Sequence, residues 1–157
     1  MPYTDLLAAS RIVQIVEPGS RDQVFDTAAR LLGGQSPDWP RTIADGLRVR
    51  EAVGSTGIGH GVAIPHCRSD ACREPLAAFL RLGNPVDFKA YDGQPVDLVF
   101  AMVIPGSNAQ DHLDTLSELA GRFADAGFRD SVRNAADITA LRSLLLYDDR
   151  PRQARSA

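Results

Sequence analysis

Apolar positions fall at helical spacing in four stretches of the chain and run almost unbroken in a fifth. Ser20-Arg21-Asp22-Gln23 has the form of a capping box, with a hydroxyl at the N-cap and an amide three residues on, and Val24, Phe25, Ala28, Leu31 and Leu32 follow on one stripe. Gly33-Gly34 ends that helix. A second helix starts near Pro40, at an N1-like position, and carries Ile43, Ala44, Leu47 and Ala52 as far as Gly54, with Arg50 near its C-terminal end. Ser107 or Asn108 caps a third, striped by Leu113, Leu116, Leu119, Ala120 and Phe123, and Ile138, Leu141, Leu144 and Leu145 mark the last. Strands are expected at Gly61–Ile64, Leu76–Leu82 and Val96–Ile104; the third is apolar at every position but Asp97 and suits a strand covered on both faces. Helical and strand signals alternate after residue 50. This predicts an α/β layered sandwich with a central mixed, mostly parallel sheet flanked by helices.

Length changes the picture little: 157 residues make one domain, expected over residues 1–147, with a flexible tail at 148–157. A chain of this size buries roughly 68–70% of its unfolded surface and needs neither disulfides nor a structural metal. Seventeen basic and 20 acidic residues give a net charge of -3, which excludes the positive field that gathers nucleic acid. Two cysteines, Cys67 and Cys72, cannot build a disulfide framework, and Met1 to Ser10 lack a signal-peptide pattern. No apolar run approaches the ~18 residues of a membrane span. The expectation is a cytoplasmic protein without membrane insertion and without a nucleic-acid partner.

Chemistry concentrates in Gly54-Ser55-Thr56-Gly57-Ile58-Gly59-His60-Gly61-Val62-Ala63-Ile64-Pro65-His66, which sets four glycines and two histidines around a short apolar strand. Glycine lets backbone approach a ligand and turn N–H groups toward an anion, and serine and threonine add hydroxyls. Ser55, Thr56, Gly57 and Gly59 are therefore candidate phosphate-binding residues. The segment is neither a Walker loop nor a Rossmann fingerprint. His66 closes the strand, where open α/β sheets keep their ligand sites. Arg50 precedes it by sixteen residues and His112 falls in the first turn of the helix after the longest strand, so both can converge on one end of the sheet. The positive end of that helix dipole disfavours a charged His112 and leaves its imidazole neutral. Taken singly, each histidine also fits a plain surface position, and His60 fits a structural one. A metal is not expected, because His60, His66, Cys67 and Cys72 lack ligand spacing. Nor is a Cys67–His66 nucleophile pair, because adjacent strand residues point to opposite faces.

Arg50-Glu51 and the glycine-rich segment through His66 resemble the active-site signature of the fructose/mannitol-type enzyme IIA domains of the bacterial phosphoenolpyruvate-dependent phosphotransferase system. The likeness continues through Pro85-Val86-Asp87-Phe88, through Asp92-Gly93-Gln94-Pro95-Val96-Asp97-Leu98-Val99-Phe100 and through His112-Leu113, and covers residues 5–147. Two positions depart from the family pattern: Cys67, where a small residue is usual, and Gly106, where an acidic one is common. By this resemblance His66 is the residue that becomes phosphorylated, as a tele-type phosphohistidine, with Arg50 and His112 as partners around the phosphoryl group. Ile58, Val62 and Ile64 would form an apolar rim. The resemblance is strongest to the nitrogen-regulatory branch. It implies a phosphotransferase that takes phosphoryl from an HPr-like phosphocarrier, without metal or cofactor, and regulates target proteins, potassium-transport or sensor-kinase components among them, by phosphorylation-dependent binding. The alternative is a sugar-specific IIA component that passes phosphoryl to a IIB partner.

Overall fold

The capping box at Ser20 forms as its residue types require. The Ser20 hydroxyl accepts from the Gln23 N–H and the Gln23 side chain accepts from the Ser20 N–H, which opens α1 (Arg21–Gly33). The computed structural model of the chain describes residues 3–34, 36–70, 72–106 and 109–147, and for residues 109–112 the backbone alone. The tail at 148–157 and the candidate caps Ser107 and Asn108 lie outside the described residues. In chain order the elements are β1 (Ile12–Ile15), α1, α2 (Trp39–Ala52), β2 (Gly57–Gly59), β3 (Val62–Ala63), β4 (His66–Ser69), β5 (Leu76–Val86), β6 (Val96–Pro105), α3 (Ala109–Ala124), α4 (Ala126–Asn134) and α5 (Ile138–Leu146).

The six strands form one mixed sheet in the order β1-β5-β6-β3-β2, with β4 also on β6. Pairs β1–β5, β3–β6 and β4–β6 are parallel, while β5–β6 and β2–β3 are antiparallel. β6 sits at the centre and is covered on both faces, as its unbroken apolar run predicts. Val99, Ala101 and Val103 meet α1 and α2 through Phe25, Leu32, Ile43 and Leu47. The alternate residues Leu98, Phe100 and Met102 meet α3, α4 and α5 through Leu119, Phe123, Val132 and Leu141. The expected layered α/β sandwich with a mixed, mostly parallel sheet is what forms.

Several elements differ from the sequence expectations. β1, β2 and β4 are additional strands of four, three and four residues, too short to establish a period. α4 is an additional helix. Its buried face holds only Phe128, Val132 and an arginine, Arg129, whose guanidinium donates to the carbonyls of Phe123 and Ala124 at the end of α3. The strand expected over Gly61–Ile64 shrinks to Val62–Ala63. Val62 is fully buried in the core, so it belongs to no rim.

Candidate functional site

Pro65 decides where His66 stands. Proline carries no N–H for a ladder, so the parallel pairing of β3 with β6 is interrupted after Ala63. Pairing resumes through the Met102 N–H, which donates to the Pro65 carbonyl at 2.9 Å. His66 therefore opens a strand, β4, rather than closing one. It lies beside Met102, on the sheet face that packs against α3, while its neighbour Cys67 faces α1 and α2. The half-buried His66 ring places Nδ1 2.9 Å from the Ile64 carbonyl. A carbonyl can only accept, so Nδ1 carries the proton and Nε2 keeps its lone pair. Burial pushes the imidazole pKa below its ordinary value; the Ile64 carbonyl opposes that shift and the positive charge of Arg50 adds to it. The resting ring at neutral pH is a neutral imidazole with Nε2 unprotonated.

Arg50 arrives from the last turn of α2. One turn earlier, a Cβ on Gly46 would stand 3.0 Å from the Cys67 Cβ, so glycine lets α2 lie close on β4 and brings Arg50 to the same side. Its Nη1 donates to the Gly54 carbonyl at 2.8 Å, which ties the guanidinium to the helix end. Arg50 and His66 together line two adjoining hollows between α2 and α3. The larger, of about 580 Å³, adds Val49, Val53, Arg68 and Leu113; the smaller, of about 310 Å³, adds Ser55, Thr56, Gly57, Ile58 and Ile64. No acidic side chain lines either hollow among the described residues. His112 falls in the first turn of α3, one residue before Leu113 in the hollow wall; its side chain lies outside the described residues.

The glycine-rich segment has a steric explanation. Gly59, His60 and Gly61 all have positive φ, at 95°, 58° and 79°, and make the tight turn from β2 into β3. A Cβ on Gly57 would meet the Ala90 Cβ at 2.7 Å. Donors expected to face an anion are committed to protein acceptors, most of them outside the loop. Ser55 donates its hydroxyl to the Phe88 carbonyl at 2.7 Å and accepts from the Gly57 N–H at 3.0 Å. Thr56 gives its N–H and, at 2.7 Å, its hydroxyl to the Glu51 carboxylate. Gly59 lines neither hollow around His66.

Glu51 is the residue that reading the sequence missed. It is buried, 3.6 Å from the Arg21 guanidinium, and its carboxylate anchors the start of the loop. The signal lay in the chain: an acidic residue beside Arg50, with a threonine five residues on. Cys67 is buried, its Sγ 3.8 Å from the Ile43 carbonyl, and burial pushes its thiol up to about 11, which leaves little thiolate for nucleophilic chemistry. Among the described residues no group of three or more His, Cys, Asp or Glu could hold a metal ion. In the same set, no helix is long and apolar enough to cross a membrane.

A protonated Nδ1, an Nε2 that keeps its lone pair and, among the described residues, an arginine without an ion-pair partner are groups that suit an anionic electrophile. Residues 5–147 match the family model described as phosphoenolpyruvate-dependent sugar phosphotransferase system, EIIA 2. The chain belongs to this family. It is 39% identical over 142 residues to a nitrogen regulatory protein of Pseudomonas aeruginosa, across 90% of this chain and 92% of that one. Its structure superposes on the nitrogen regulatory protein IIA-Ntr of Neisseria meningitidis with a TM-score of 0.85 at 37% identity, covering 91% of this chain and 98% of the other. IIA mannitol of Escherichia coli shares the fold, with a TM-score of 0.72 at 17% identity over 88% of this chain and 97% of that one. As an EIIA 2 domain the chain is a IIA-type phosphocarrier component of the phosphotransferase system.

Proposed function

We propose that the chain is a regulatory phosphocarrier of the nitrogen-type phosphotransferase system, and that His66 Nε2 accepts phosphoryl from the phosphohistidine of an HPr-like carrier protein. The observation that carries this reading is the Nδ1–H of His66 held on the Ile64 carbonyl, which leaves Nε2 as the nucleophile in a hollow walled by arginine and, among the described residues, by no carboxylate. In the step itself an Nε2–P bond forms as the donor's P–N bond breaks, and the electron pair returns to the donor ring. Positive charge grows on the His66 ring, where the Ile64 carbonyl, accepting from Nδ1–H, stabilises it. Arg50 offers its remaining N–H groups to the equatorial oxygens and His112 a further N–H. The step so written uses no metal or cofactor. Ser55, Thr56 and Gly57 shape the adjoining wall, since the Ser55 hydroxyl is spent on Phe88, the Thr56 N–H and hydroxyl on Glu51 and the Gly57 N–H on Ser55; Gly59 turns the hairpin and contacts nothing in the transfer.

Phosphorylation adds up to about two negative charges and three acceptor oxygens to a hollow ringed by apolar Val49, Val53 and Leu113. Regulatory targets that dock on this rim in one state then meet a desolvated charge in the other, so binding follows phosphorylation. The test is incubation with phosphoenolpyruvate, the energy-coupling enzyme and its HPr-like carrier. One acid-labile phosphate on His66 is expected by mass spectrometry, absent from His66→Ala; a label that persists in that variant overturns the assignment. Rapid onward transfer to a sugar-type IIB domain would overturn the regulatory role in favour of the transport one.

A further inference from the structure

Arg68 lines the same hollow as His66. It lies two residues beyond His66 on β4, and in a strand this puts both side chains on one face, with Cα atoms about 6.6 Å apart at ~3.3 Å per residue. It lines the larger hollow with Arg50, His66 and Leu113. Its side chain is exposed, and among the described residues its guanidinium makes no hydrogen bond or ion pair. The other arginines around the sheet are engaged: Arg81 donates to carbonyls at the end of α4, Arg129 to those at the end of α3 and Arg133 to Asp97. Two cations thus approach one imidazole, Arg50 from α2 and Arg68 from β4, and among the described residues no acidic side chain lines the hollow; the buried Glu51 carboxylate, outside that lining, acts on the ring in the opposite sense. Both arginines disfavour the protonated ring of His66. Like charges held around a nucleophile are offset when an anion binds between them.

We infer that Arg68 is a second guanidinium for the phosphoryl group, donating to an equatorial oxygen that Arg50 leaves open; the inference rests on the reading of His66 as acceptor. The stoichiometry of donors supports it. A transferring phosphoryl spreads its charge over three equatorial oxygens. Arg50 has one nitrogen committed to Gly54, so its fork cannot serve all three. Arg68 is long enough to fold back toward Nε2, and among the described residues it has no other partner to leave.

The test compares wild type, Arg68→Ala and Arg68→Lys with two phosphodonors, phosphoramidate and the phosphorylated HPr-like carrier, with the label mapped to His66. Phosphoramidate has no docking surface, so it separates contact with phosphoryl from contact with a carrier. The expected result is an acceptance rate about tenfold lower in Arg68→Ala with both donors, partly restored in Arg68→Lys. The His66 pKa, read by NMR titration, should rise in Arg68→Ala and stay near the wild-type value in Arg68→Lys. A loss seen with the carrier alone overturns the inference, because Arg68 then contacts the protein donor. An unchanged His66 pKa in Arg68→Ala overturns it too. Wild type that takes no phosphate on His66 overturns the acceptor reading, and this one with it.

Discussion

Among the described residues, two hollows at opposite ends of the β2–β3 hairpin each hold a histidine and two arginines. Around His60, in a hollow of about 410 Å³, every charge is answered. The His60 N–H donates to Asp92 at 2.9 Å, Arg133 forks onto Asp97 at 3.0 and 2.9 Å, and Arg129 is spent on helix carbonyls. Around His66, among the described residues, no carboxylate lines the wall and no partner claims the ring nitrogen Nε2. The same residue types therefore make a structural clasp at one end and a site at the other. What separates them is charge balance: a satisfied ion pair has nothing left for a ligand, whereas uncompensated arginine beside a neutral nucleophile does.

That contrast is broken most directly by removing one arginine from each end. Arg50→Ala should lower the rate of phosphate acceptance by about 10²–10³, the usual loss for one donor to a developing oxyanion. Arg133→Ala should leave the rate unchanged, and equal losses in the two variants would dissolve the distinction. The next largest effect concerns the support of the site. Glu51→Ala strips the partner from the Thr56 N–H and hydroxyl, and unfolding by urea should register roughly 2–3 kcal/mol of lost stability, with a smaller loss in Glu51→Gln. Asp97→Ala should cost about 0.5–1 kcal/mol in the same measurement, because that pair is partly solvated, and should not alter transfer.

Smallest is the pH effect. The folded ring of His66 has a pKa below the unfolded value of about 6.5, so the unfolded chain takes up the proton first as pH falls. Above 6.5 both states are neutral and the ring contributes nothing to the pH dependence. Stability is then lost as pH drops from there through the lowered value, and His66→Gln should flatten that part of the profile. NMR titration should find His66 protonating at lower pH than an unperturbed imidazole; a pKa at or above 6.5 would contradict the burial argument.

Much of the frame was legible in the chain. The start of α1 at Ser20 and its end at Gly33-Gly34 rest on contacts between residues a few positions apart, and the double-sided burial of β6 was readable because both alternating sets of its positions are apolar; each formed as expected. Arg50 at a helix end and His66 beside Pro65 were legible for the same reason. The glycine-rich segment was not. Its composition suits an anion cradle and a tight hairpin equally, and only the approach of Ala90, thirty-three positions from Gly57, decides that sterics demand the glycine there. β2 was hidden by the low strand propensity of its two glycines, and α4 by an inward face that includes an arginine.

By itself, then, the sequence determined the periodic elements and their caps, because these depend on spacings of two to four residues, and it singled out His66 and Arg50 as candidates by their residue types and flanking pattern. The tertiary structure decided which nitrogen of His66 is free, through an interruption of the sheet at Pro65, and which arginines are already engaged. Arg133 meets Asp97 across 36 positions and Arg81 meets Val132 across 51. Pairings at such separations follow from how the layers stack, and they leave Arg50 and Arg68 in one hollow with His66 that no carboxylate lines among the described residues.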